Sequence, residues 1–124
     1  MEESKLIFYL DDDSDHSYYF KNIGGSLGHK VSVFNNGFEM LQTLFFGEGN
    51  PNVIFLNVHM PILNGEEILK TIKSSDKHKD IPVIMISGAY PKKLARYLLE
   101  SGASHLMKKT DYHGLRNALE DVLK

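Results

Sequence analysis

The chain has no cysteine among its 124 residues. That excludes a disulfide framework, a thiolate metal site and a thiol nucleophile. It fits a cytoplasmic setting. No apolar run approaches the roughly 18 residues of a membrane span, so no membrane role is expected. Net charge is scarce too. The formal value is −2, which gives no general pull toward nucleic acid or an anionic membrane. No internal repeat, linker or low-complexity segment interrupts the pattern. Met1-Glu-Glu-Ser-Lys5 is acidic and enters an apolar stretch at once, unlike a signal peptide. The expectation is one domain over residues 1–124, with no output domain. That length buries roughly two-thirds of the unfolded chain's surface.

What is present is alternation. Leu6-Ile-Phe-Tyr-Leu10 is continuously apolar, the mark of a strand buried on both faces. Phe20, Ile23 and Leu27 follow at helical spacing, and Gly28 stops that helix. Val31 to Phe34 alternates like an edge strand. Asn36 is placed to cap a helix with Phe38, Leu41 and Phe45 on one face. Val53 to Leu56 is a second buried strand. Asn64 and Glu67 form a capping-box pattern before Ile68, Leu69 and Ile72. Val83 to Ile86 is a third buried strand. Pro91 is a first-turn proline for a helix carrying Leu94, Ala95 and Leu98, stopped by Gly102. Ser104 to Lys108 reads as a short strand, and Leu115, Leu119 and Val122 lie along a last helix. Alternating units with short connections predict an α/β fold: a single doubly wound, five-stranded parallel sheet with helices on both faces. The expected order is 2-1-3-4-5, the flavodoxin-like arrangement.

In such a sheet, sites form at the carboxyl ends of the central strands. Asp11 and Asp12 end the first strand, Asn57 the third and Ser87 the fourth, and Lys109 closes the fifth. Convergent carboxylates need a cation or a proton between them, and an oxygen-rich site of this size suits Mg²⁺. On its own, an aspartate run after a strand is a solvated turn or a helix cap. With Met60-Pro61, Gly65, Ser87 and Lys109 in register, the chain resembles, over nearly its whole length, the CheY-like receiver domains of bacterial response regulators.

That resemblance implies roles position by position. Asp11 and Asp12 match the acidic pair, with Asp12 the more direct metal ligand. The backbone carbonyl of His59 matches the third protein ligand, and the Asn57 oxygen can serve as a neutral one. Ser87 matches the hydroxyl that bonds a phosphoryl group, and Lys109 the lysine that pairs with its oxygens; Lys108 is the alternative. Asn57 stands where the family carries the phosphoacceptor aspartate. An amide cannot take the phosphoryl group, so phosphorylation there is not expected and any Mg²⁺ is expected to bind weakly. Thr110 replaces the usual proline after the lysine, which leaves the Lys109–Thr110 peptide cis or trans. Leu106 replaces the usual switching aromatic. The asparagine is either native or introduced, and the changes at Leu106 and Thr110 favour native divergence.

The resemblance implies a role in two-component phosphorelay signalling as a non-enzymatic partner-binding domain. The expected partner is a histidine kinase or another signalling protein. The expected face is the Pro91–Gly102 helix, the Ser104–Lys108 strand and the Tyr112–Leu123 helix, in a monomer or weak homodimer. Tyr90, Tyr97 and Tyr112 lie there as candidate anchors. Two other classes compete. Asp11-x-Asp13 resembles haloacid dehalogenase-type phosphatases, but Asp15 stands where those expect Thr or Val. A flavodoxin-like carrier needs a phosphate loop after the first strand, and Asp-Asp-Asp-Ser-Asp repels phosphate. The histidines at 16, 29, 59, 78, 105 and 113 are scattered and read as ordinary surface or loop residues. Tyr18, Tyr19 and Phe20 read as partly core and partly surface.

Overall fold

A computed structural model describes residues 4–109 and 112–123. Its strands are β1 (Leu6–Leu10), β2 (Lys30–Phe34), β3 (Val53–Asn57), β4 (Val83–Ser87) and β5 (His105–Lys108). Its helices are α1 (Ser14–Ser26), α2 (Gly37–Phe46), α3 (Gly65–Lys73), α4 (Lys92–Glu100) and α5 (Tyr112–Val122). The sheet runs β2-β1-β3-β4-β5, and every pairing is parallel.

The period of two along each strand splits the core in half. Phe8, Leu10, Ile54, Leu56, Val83 and Met85 face one layer, with Met40, Leu44, Ile68, Leu69, Ile72 and Leu98 from α2, α3 and α4. Ile7, Tyr9, Val53, Phe55, Ile84 and Ile86 face the other, with Phe20, Ile23, Leu115 and Leu119 from α1 and α5. Both faces of β3 and β4 are buried, which is why those runs read as continuously apolar.

Local signals set the helix ends. Asn36 caps α2 by accepting from the Glu39 N–H, and Asn64 with Glu67 completes the capping box of α3. Gly28 (φ +90°) and Gly102 (φ +110°) leave α1 and α4 in the left-handed conformation.

The structure corrects some expectations. In α2 the buried face is Gly37, Met40 and Leu44, while Phe38 is 61% exposed. Gly37 lies against α3, where an added Cβ would meet the Ile68 Cδ1 methyl. Pro91 is the N-cap of α4 rather than its first turn, and β5 starts at His105. His78 lies in the connection after α3, as a loop histidine, but is buried. Its Nδ1 is 2.8 Å from Ser75 Oγ, its ring stands edge-on to Phe45 at 4.9 Å, and no described residue bonds its Nε2. Tyr18 and Tyr19 are exposed and Phe20 is buried, as their run suggested. Among the described residues, no helix is long and apolar enough to cross a membrane.

Candidate functional site

The carboxyl ends of β1, β3 and β4 meet at one rim of the sheet, and Asp11 sits at its centre. Its backbone N–H donates to Phe34 O at 3.1 Å, which ties the end of β1 to β2. Its side chain is fully buried. A buried carboxylate is tolerated only when it is neutralised and hydrogen-bonded. Four groups do this. The Asp13 N–H donates to Oδ1 at 3.0 Å, and the Asn57 amide donates to the same atom at 3.1 Å. The Tyr9 hydroxyl donates to Oδ2 at 2.8 Å. The Lys109 ammonium lies 3.1 Å from Oδ2 and 3.3 Å from Oδ1. A carboxylate offers about four lone-pair sites, so Asp11 is saturated by the chain itself.

Tyr9 escapes a reading of the sequence because it sits inside an apolar strand. Its ring stacks on Phe20 at 3.9 Å, and its hydroxyl reaches round to the acidic rim. Burial, and next the charge of Asp11, push the hydroxyl far above the usual phenol range. Tyr9 is therefore a permanent donor.

Asn57 is the last residue of β3 and is buried. Its Nδ2 also donates to the His59 carbonyl at 3.3 Å and touches Met60 Sδ at 3.9 Å. Both oxygen partners can only accept, so the amide must present its NH₂ to them. The loop that follows is tightly folded. The Gly65 N–H donates to Val58 O at 3.1 Å, and a Cβ at Gly65 would strike the Asn57 carbonyl oxygen. Ile62, at the loop's exposed tip, holds φ at 67°, a strained value for a β-branched residue.

Lys109, rather than the exposed Lys108, reaches the acidic rim. Its backbone N–H donates to Ser87 O at 2.9 Å, which anchors the end of β5 on β4. Ser87 lies at the same rim but turns away: its hydroxyl donates to Ala89 O at 2.9 Å and accepts from the Ala89 N–H at 3.4 Å. Tyr90 follows in the same loop. Its hydroxyl lies 2.9 Å from Met85 O and 2.7 Å from Met107 O, bridging β4 and β5, and burial pushes its pKa up to about 12. Half-buried Leu106 packs in the same layer as Tyr90. The aromatic beside β5 is thus supplied by the β4–α4 loop.

Asp12 faces an open cleft of roughly 310 Å³ shared with Ser14, Tyr18, Lys21 and Asn35. Asp13 is the N-cap of α1, accepting from the Asp15 and His16 N–H groups at 3.0 and 3.3 Å. With Asp11 saturated and Asp13 capping a helix, neither carboxylate is placed as a free nucleophile. The phosphatase alternative finds no support in this geometry.

The oxygens of Asp11, Asp12 and the His59 carbonyl are the right chemistry for Mg²⁺. In this arrangement an ion would have to displace the chain's own donors. Asn57 turns an N–H donor inward, and the Asp11 lone pairs are engaged. Among the described residues, no group of three or more His, Cys, Asp or Glu is placed to hold a metal.

On the expected partner face, Tyr97 is exposed on α4 under the Lys70 ammonium, 4.8 Å from its ring centre, beside Lys92, Lys93 and Arg96. The Tyr112 side chain and the Lys109–Thr110 peptide lie outside the described residues.

The family model "Response regulator receiver domain" matches residues 7–120. A chemotaxis protein CheY homolog of Campylobacter jejuni subsp. jejuni is 29% identical over 119 residues, covering 94% of this chain and 91% of its own length. The two-component response regulator ORR11 of Oryza sativa subsp. indica is 31% identical over 103 residues, covering 82% of this chain and 69% of its own length. The crystal structure of the Mn²⁺-bound form of response regulator Rcp1 superposes with a TM-score of 0.87 at 18% identity, over 97% of this chain and 95% of that one, a likeness of fold alone.

Proposed function

The chain belongs to the response-regulator receiver family, and from that premise we propose that it signals by binding partner proteins without taking a phosphoryl group at position 57. Receiver domains of two-component signalling are regulatory rather than catalytic, so the chemistry at issue is acceptance, not turnover. The observation that carries the reading is the Asn57 amide donating to Asp11 Oδ1 at 3.1 Å. An acceptor must offer a nucleophilic oxygen to the incoming phosphorus. An amide nitrogen delocalised into its carbonyl is no nucleophile, and here it is committed to the acidic rim.

Mg²⁺ binding at Asp11, Asp12, Asn57 and the His59 carbonyl is weak in this proposal, because an ion would have to displace those donors. The partner is a histidine kinase or another signalling protein, received on α4, β5 and α5. The cationic stretch Lys92, Lys93 and Arg96 with Tyr97 supports that face. The proposed setting is cytoplasmic. The test is the affinity for a partner from the same signalling system, measured by calorimetry with and without phosphoramidate and Mg²⁺. Equal dissociation constants are expected. A donor-dependent change of about tenfold, the ratio that 1.4 kcal/mol corresponds to, would overturn the proposal.

A further inference from the structure

The Asp11 carboxylate poses a problem of charge. It is fully buried at a strand end beside a second aspartate. A buried anion in that position demands positive charge or several donors. The donors come from four separate places in the sequence: Tyr9 within β1, Asp13 at the head of α1, Asn57 at the end of β3 and Lys109 after β5. We propose that Tyr9, Asn57 and Lys109 together take the place of a divalent cation, neutralising and orienting Asp11 so that the acidic rim is closed from within.

Each group supplies part of what an ion would. Lys109 brings the charge, from 98 positions away in sequence, and ties β5 to β1. Asn57 brings two N–H donors. It joins Asp11 Oδ1 to the His59 carbonyl, both groups that would otherwise be available to hold an ion. Tyr9 reaches the other oxygen, Oδ2, from inside the core. Its position is set by stacking on Phe20, which in turn meets Phe55 edge-on at 4.9 Å. Tyr9 is thus a positioning residue: it fixes the carboxylate that the other two neutralise. The fit is reciprocal. Nδ2 must face inward because Asp11 and His59 offer only acceptors, and turned that way it has no oxygen to give a metal. The rim is held in this way whether or not position 57 is ever modified.

The test is a Mg²⁺ titration of the full chain, followed by ¹H–¹⁵N NMR at the Asn57 side-chain amide and the backbone amides of residues 11–13. Tyr9→Phe keeps the ring stack and removes only the hydroxyl, and Lys109→Gln removes the charge. The unaltered chain is expected to show fixed, metal-insensitive Asn57 NH₂ resonances through the low millimolar range. Tyr9→Phe frees a lone pair on Oδ2 and is expected to bind Mg²⁺ about tenfold more tightly, as 1.4 kcal/mol requires. Lys109→Gln is expected to bind more tightly still. A tyrosine that merely packs would leave the affinity unmoved. Micromolar Mg²⁺ binding by the unaltered chain, or Tyr9→Phe with equal or weaker affinity, overturns the inference.

Discussion

Replacing Asn57 by aspartate tests the electrostatics of the rim. The nitrogen that would be lost lies 3.1 Å from Asp11 Oδ1, so the new oxygen would face an existing carboxylate at contact distance. Relaxed to about 5 Å at an effective dielectric near 20, the two like charges repel by about 3 kcal/mol. Loss of a hydrogen bond to a charged group adds about 1.5–3 kcal/mol. Lys109, 3.1 Å from Asp11, offsets part of this, and partial protonation of the new carboxyl offsets more. The net expectation without metal is a loss on the order of 1–3 kcal/mol. At roughly 4 °C per kcal/mol for a domain of this size, the melting temperature should fall by about 4–12 °C. Mg²⁺ should reverse the loss, since it binds only the folded rim; at a hundred times its Kd it restores about 2.7 kcal/mol. Urea midpoints of both chains, in EDTA and in Mg²⁺, measure each quantity. If Asn57→Asp in EDTA is as stable as the parent, or gains no more from Mg²⁺ than the parent does, the reasoning about this rim is refuted.

Two further outcomes follow from the same geometry. Lys109→Met should cost about 3 kcal/mol, because it strips the counter-charge from a fully buried carboxylate, and a urea midpoint unchanged from the parent would contradict this. Asp13 gives a pH signature: the N–H of His16 first, and that of Asp15, hold its carboxyl below the ordinary value of 3.8. A depressed folded value contributes stability that is full above about pH 4 and is lost as pH falls through it. Asp13→Asn keeps a capping oxygen but cannot titrate, so it should lose less stability than the parent between pH 7 and pH 3. Equal losses in parallel urea series would contradict the assignment.

The elements that were legible in the sequence are those whose cause is local. Leu6–Leu10 and Val53–Leu56 are apolar without a break because both faces are covered, and Asn64 with Glu67 closes its own helix end. Asp11, Asp12, Asn57, Ser87 and Lys109 could be placed at one rim because parallel topology carries strand ends together. What stayed hidden depends on contacts between distant segments. The α2 stretch Gly-Phe-Glu-Met-Leu-Gln-Thr-Leu-Phe-Phe is apolar on several sides, so its period does not choose between Phe38 and Met40; packing in the shared core buries Met40 and leaves Phe38 exposed. Tyr9 reads as one more core aromatic, since nothing in a strand pattern says where a hydroxyl finds its acceptor. Ser87 has the expected residue type at the expected place, yet its rotamer is set by Ala89 in the loop beyond it. His78 is buried by α2 packing across a connection that looks solvated in the sequence.

The central claim is that this rim, with asparagine at position 57, takes no phosphoryl group. Intact-mass spectrometry after incubation with acetyl phosphate and Mg²⁺ tests it most directly, with Asn57→Asp as the control. The chain should keep its unmodified mass, while Asn57→Asp should gain one acid-labile phosphoryl group, since Lys109 and Ser87 stand at the same rim. A stoichiometric acyl phosphate on the unaltered chain, at Asp12 or any other carboxylate of the rim, would contradict the account.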